Sequence, residues 1–169
     1  MRPPTKGELG LKIRSIYISD DHNYFGHHEQ PPGKSEILEV EEATLVEGKG
    51  IKGDRFFDYR EDYKGQVTFF AYETFLELRE KFGVFDREPD VFRRNILTEG
   101  TDLNALIGKE FEVQGIRFFG VEEAKPCYWM DQAFCEGAEK ALRGKGGLRA
   151  QVLSDGVLSS ESGVSAAKP

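Results

Sequence analysis

A thiol is the most reactive side chain that this sequence of 169 residues offers, and the chain carries two, Cys127 and Cys135. Cys127 lies in Ala-Lys-Pro-Cys-Tyr-Trp-Met-Asp, directly after a stretch with strand character, and Pro126 has no N–H with which to continue a ladder. The sulfur is therefore expected at a strand end beside the charge of Lys125, where a thiolate would serve as a nucleophile or a soft metal ligand. The competing reading is a small buried hydrophobe, and it is the favoured one for Cys135. Two cysteines make no disulfide framework, and they lack the C-x-x-C spacing of a zinc site.

Basic residues stand next to flexible backbone. Lys52 and Arg55 flank Gly53, Arg93 and Arg94 precede Asn95, and Arg143, Lys145 and Arg149 bracket Gly144, Gly146 and Gly147. Glycines let backbone N–H groups converge on an anion, and arginine adds a fork that pairs with phosphate. The net charge of -7 makes any such pocket local and argues against nucleic-acid binding through bulk positive charge. For Lys52 and Lys145 solvated surface charge is the plainer reading. Asp54, in Gly-Ile-Lys-Gly-Asp-Arg, is placed to fix a turn through its carboxylate. Asp131, four residues after Cys127, could orient a ligand from behind or cap a helix. His22, His27 and His28 share one loop, and the adjacent pair cannot easily serve one metal, so surface or packing roles are favoured. Motifs for serine hydrolases, P-loops, dinucleotide folds and zinc proteases are missing from the sequence.

The elements that must position these residues are mostly short strands. Leu11 to Ile18, Glu36 to Glu47, Gln66 to Ala71, Arg93 to Glu99 and Leu148 to Leu153 read as strands, and Phe111 to Val113 with Ile116 to Val121 as a hairpin turning at Gln114-Gly115. Tyr72 to Phe82 has helical spacing with Gly83 as its stop, Asp102 offers a cap for a short turn through Leu106, and Glu136 to Leu142 supports a second helix. Ser154-Asp155-Gly156 turns into a last strand at Val157-Leu158. The pattern predicts a mainly β domain over residues 11–158, closed into a barrel with a few short helices, between a flexible N-terminus (1–10) and a disordered Ser- and Ala-rich tail (159–169). No apolar run is long enough for a membrane span, and Met1 to Gly10 has no signal-peptide core, so a cytoplasmic protein without membrane contact is expected.

Taken in order, GIKGDRFF (Gly50 to Phe57), FRRNILTEG (Phe92 to Gly100), DLNALIGKEFEV (Asp102 to Val113), KPC (Lys125 to Cys127) and GGLRAQVLSDG (Gly146 to Gly156) resemble the MOSC domain, the module named for the C-terminal part of molybdenum cofactor sulfurase. The resemblance implies a β-rich barrel that binds the molybdenum cofactor, a molybdenum held by the dithiolene of a phosphorylated pyranopterin. It places the family's metal- or sulfur-bearing cysteine on Cys127 and its cofactor-contacting Arg-x-Asn motif on Arg93 and Asn95. Arg94, Gly146, Gly147 and Arg149 are expected to join the cofactor site, with Asp54 and Asp131 supporting it. The chain has no room for the pyridoxal-phosphate desulfurase domain of the sulfurases and no cysteine cluster for iron–sulfur. Two activities follow from the resemblance. One is reduction of small N-hydroxylated substrates, such as hydroxylaminopurines or amidoximes, with a separate electron donor. The other is a sulfur carrier charged by a separate cysteine desulfurase.

Overall fold

The computed structural model describes residues 11–20 and 36–161. Seven strands form one sheet: β1 (Lys12–Ile18), β2 (Leu38–Val40), β5 (Val67–Ala71), β6 (Ile96–Glu99), β7 (Glu110–Val113), β8 (Ile116–Glu123) and β9 (Leu148–Val152), in the order β2-β1-β6-β5-β9-β8-β7. A smaller sheet holds β10 (Gly156–Ser159), β3 (Glu42–Val46) and β4 (Gly50–Ile51). Among the described residues the α-helices are α1 (Tyr72–Phe82), α2 (Trp129–Ala133) and α3 (Ala138–Leu142), beside two 3₁₀ turns at Pro89–Phe92 and Leu103–Leu106.

The middle of the large sheet is buried on both faces because β5 and β6 carry apolar residues at odd and even positions. In β5, Phe69 joins a core shared with the small sheet, while its neighbour Phe70 points to the helices. Ile96 and Leu97 in β6 divide the same way. The first core stacks Phe69, Phe111 and Phe118 with centroids 5.4–5.7 Å apart under Leu45, Ile51 and Leu158. Each such side chain stabilises the fold by about 2 kcal/mol. The second core packs Phe75 and Leu78 of α1 with Phe92, Met130 and Phe134.

β5 and β6 pair in parallel, joined by the crossover through α1, the other pairings between these strands are antiparallel, and an isolated bridge between Ile107 and Gly120 is parallel. The β7–β8 hairpin turns on Gln114 and Gly115, both with positive φ (52° and 83°), the conformation that a two-residue turn needs.

The mainly β class is as expected, but the sheets do not close into a barrel. The chain leaves the large sheet after Val40 and enters the small one at Glu42, so the expected strand Glu36 to Glu47 is two strands in different sheets. Isolated contacts join the sheets instead: Gly48 N to Val152 O (2.8 Å), and the Gln114 side-chain amide, which exchanges two hydrogen bonds with the Ser159 backbone (2.8 and 2.9 Å). Three further expectations are corrected. Arg93 to Glu99 is strand only from Ile96, because Arg93 takes a left-handed φ of 57° to end a 3₁₀ turn over Pro89–Phe92. Helix α2 was not read from the sequence at all; Trp129 and Met130 are its buried residues and its five residues are too few for a period to show. Residues 159–161, expected in the disordered tail, are held: Ser159 ends β10, Ser160 Oγ donates to Arg14 O (3.0 Å), and Glu161 Oε2 accepts from Ile13 N (2.9 Å). Met1 to Gly10, the three histidines and residues 162–169 lie outside the described residues.

Candidate functional site

β8 ends at Glu123, and the next residues carry the thiol out of the sheet. Ala124 N still reaches Gly147 O of the neighbouring turn (2.8 Å), and Pro126 then cannot donate. Cys127 is exposed, and its carbonyl accepts from Met130 N (2.9 Å) as the chain winds into α2. Trp129 is buried and stacks on the exposed Tyr128, with centroids 4.8 Å apart, which anchors the turn that follows Cys127.

Arg94 holds this segment in place. Its Nε donates to Gly146 O (2.9 Å), and its Nη2 donates to Ala124 O (2.8 Å) and more distantly to Lys125 O (3.5 Å). One guanidinium thus joins the strand end before Cys127 to the glycine turn before β9. Gly146 N donates in return to Glu123 Oε2 (3.1 Å). Burial pushes the Arg94 guanidinium down to about 10; the charge of Cys127 opposes that shift, and Arg149 and Arg55 add to it. The Nη1 group of Arg94 makes no hydrogen bond among the described residues.

Gly146 and Gly147 serve this lacing by their lack of a side chain. A Cβ on Gly146 would run into Ala124 O and lie 2.8 Å from Pro126 Cδ, and one on Gly147, at φ 114°, would run into Phe69 O. Arg149, on β9, pairs with Glu122 of β8 (3.2 Å) and donates to the Tyr63 hydroxyl (3.3 Å), with its side chain 32% exposed. Arg55 is bound more deeply, to Asp54 (3.0 Å) and to Arg93 O (2.9 Å), and burial lowers its pKa.

The Arg93 and Asn95 side chains are turned elsewhere. Arg93 Nη2 donates to Ser19 Oγ (3.1 Å). Asn95 is buried; its Oδ1 accepts from Thr68 N (3.0 Å) and Thr68 Oγ1 (3.2 Å), and its Nδ2 donates to Tyr17 O (3.1 Å). It ties β5 to β1 across the place where β6 has not yet begun. Asp54 is also interior: its carboxylate accepts from Ser19 N (3.1 Å) and Phe56 N (3.3 Å) and forms the Asx turn that its position suggested. Asp131 accepts from Glu139 N (2.9 Å) in the first turn of α3, which is the capping role. Cys135 packs against the helix-side core, and burial and then Asp131 push its thiol up. Lys52, Arg143 and Lys145 are exposed.

The structure thus brings Arg94 and Gly146 to the segment that leads to Cys127, places Gly147 beside them and Arg149 against Glu122 of the neighbouring strand, and gives Asn95, Asp54 and Asp131 hydrogen bonds within the protein. Glu122, Glu123 and Tyr63 were missed by sequence reasoning. The pair Glu122-Glu123, ending a strand-like run one residue before Lys-Pro-Cys, was the available signal.

A family model described as the MOSC domain matches residues 49–164. No curated protein matches the chain. Among solved structures, the YUAD protein from Bacillus subtilis is similar with a TM-score of 0.68 and 19% identity, over 89% of this chain and 91% of that one. YiiM from Geobacillus stearothermophilus gives 0.62 and 15% over 88% and 71%, and YiiM from Escherichia coli gives 0.59 and 19% over 86% and 66%. At these identities the likeness speaks for the fold.

Proposed function

The chain belongs to the MOSC domain family, and we propose that it binds the molybdenum cofactor at Cys127 and reduces small N-hydroxylated compounds. The observation that carries this reading is an exposed thiol on a segment fastened by a desolvated guanidinium whose outer amino group is unused. The donor set fits the cofactor. Among the described residues no three His, Cys, Asp or Glu side chains are grouped to cage a metal, so the chain would give one soft thiolate and the cofactor's dithiolene the other sulfur ligands. Arg94 Nη1 and the partly exposed Arg149 would hold the phosphorylated end. When bound, the cofactor supplies two-electron redox chemistry.

The reaction breaks one N–O bond. A hydroxylamine takes up two electrons and two protons and leaves as the amine and water, and the electrons come from a separate donor protein. Residues of this chain hold the Cys127 segment through Arg94 and leave the thiol exposed, where it would be free to hold the cofactor. The test is hydroxylaminopurine reduction by protein purified anaerobically from a cofactor-competent host, with a chemical electron donor. Turnover that is lost in Cys127→Ala supports the reading, and metal-loaded protein without turnover contradicts it. The exposure of Cys127 also supports a sulfur carrier: the thiolate would take the outer sulfur of a desulfurase persulfide, whose own sulfur leaves as a thiol. Labile sulfur on Cys127 without molybdenum would favour that role.

A further inference from the structure

Helix α1 turns Thr74, Phe75 and Leu78 into the protein and leaves Leu76 exposed and Arg79, three residues on, half-buried. Three cations on or near this helix are paired: Lys145 with Glu77 (3.1 Å), Arg14 with Glu99 (3.0 Å) and Arg87 with Asp86 (3.4 Å). Arg79 has no such partner. Its guanidinium makes no hydrogen bond or ion pair among the described residues, and its Nε is buried in that state. The positions three and four residues away hold Phe75, Leu76, Phe82 and Gly83, so the helix itself offers no carboxylate to pair with it.

Two rings hold this unpaired charge in place. Arg79 Cζ lies 5.4 Å from the Phe75 ring centroid and 5.2 Å from that of Phe85. Nε is the one buried side-chain nitrogen or oxygen without a partner among the described residues, so the two unbonded Nη groups reach solvent. A guanidinium closed at Nε and open at both Nη groups presents an end-on fork that matches one carboxylate. The surface around the fork is apolar: Phe85 is 57% exposed and Leu76 39%. A single exposed apolar side chain needs no explanation, but an aromatic, a leucine and an unpaired arginine side by side have the composition of a contact surface.

The surrounding charges narrow the occupant. Glu80 follows Arg79 and Asp86 follows Phe85, both exposed, so a phosphate dianion or a run of acids would meet repulsion that a single carboxylate largely escapes. A two-fold pairing of this face with a second copy would set Arg79 against Arg79. We propose that the face docks a segment of a partner protein in which one Asp or Glu stands beside bulky apolar side chains. Its carboxylate takes the two Nη groups of Arg79 end-on, and its apolar side chains cover Phe85 and Leu76. Docking thus supplies the counter-charge that the fold omits.

The experiment follows the amide resonances of Leu76, Arg79 and Phe85 in the full chain while the end-capped peptide Ala-Leu-Asp-Leu-Ala is added. Ala-Leu-Asn-Leu-Ala and Ala-Ala-Asp-Ala-Ala serve as probes without the charge and without the apolar side chains. The first peptide is expected to shift all three resonances to saturation with a Kd of about 1 mM or below, and each control to bind about tenfold more weakly. Arg79→Met should weaken the first peptide about tenfold, and so should Phe85→Ser, an exposed change that leaves the melting temperature in place and carries the test if Arg79→Met fails to fold. Unsaturable shifts, equal binding of the Asn peptide, or wild-type affinity in either folded variant overturns the proposal. A dimer in sedimentation that Phe85→Ser dissolves also overturns it, because a second copy would then be the occupant. No arm depends on molybdenum.

Discussion

Two polar networks flank the residues between Phe92 and Ile96, and they end differently. On one side Asn95 bonds to Thr68 and Tyr17, and Asp54 bonds to Ser19, all deep in the protein, and every one of them is buried. On the other side Arg94 binds three backbone carbonyls, yet one of its amino groups and the Cys127 sulfur still face outward. Both networks use side chains to bridge backbone where the ladder fails. A closed network contributes to the fold, whereas an open one leaves hydrogen-bonding and ligating capacity for something that is not protein.

The widest separation between the two comes from the cysteine. Cys127→Ala should abolish turnover while changing stability by no more than about 0.5 kcal/mol, as an exposed site allows. Cys135→Ala, in the packed helix layer, should leave turnover intact and shift the urea midpoint instead. A reversed pattern would exchange the roles of the two thiols.

Asn95→Leu attacks the closed network. It strands Thr68 N and Tyr17 O inside the protein, and urea unfolding should show a loss of about 3 kcal/mol. A variant that kept its stability but lost molybdenum would move Asn95 into the site and undo the contrast. Arg94→Lys attacks the open network, keeping the charge but losing the planar fork. Molybdenum retention should fall about tenfold, as for residues that orient a metal ligand, and full retention would show that charge alone suffices.

The last test is a pH dependence on the closed side. Burial is the main cause that pushes the Tyr17 hydroxyl from 10.0 up to about 12. Below pH 10 both folded and unfolded chains hold the proton. Between 10 and about 12 only the unfolded chain releases it, so stability falls as pH rises, by up to about 1.4 kcal/mol per unit. Tyr17→Phe should lose stability less steeply over that window. Equal slopes would mean that water reaches the hydroxyl.

The sequence made the open network partly legible. Pro126 before Cys127 marked a strand end, and the glycine turn at 146–147 marked a close approach, although backbone packing rather than an anion demands both glycines. α1 was read with its observed ends because apolar spacing and Gly83 agree. Two features resisted reading for physical reasons. The chain changes sheets at Glu41 inside a continuous strand-like pattern, and pairing partners are not encoded in the alternation of a single strand. The division of labour among Arg93, Arg94 and Asn95 depends on the left-handed φ at Arg93, which redirects successive side chains in a way that residue type does not reveal.

The most direct test of the central claim, that Cys127 is the single protein ligand of a bound molybdenum, is elemental analysis of anaerobically purified protein beside its Cys127→Ser variant. Near-stoichiometric molybdenum in the wild type and its loss from a variant of unchanged melting temperature is the predicted result. Equal molybdenum in both proteins would contradict the claim.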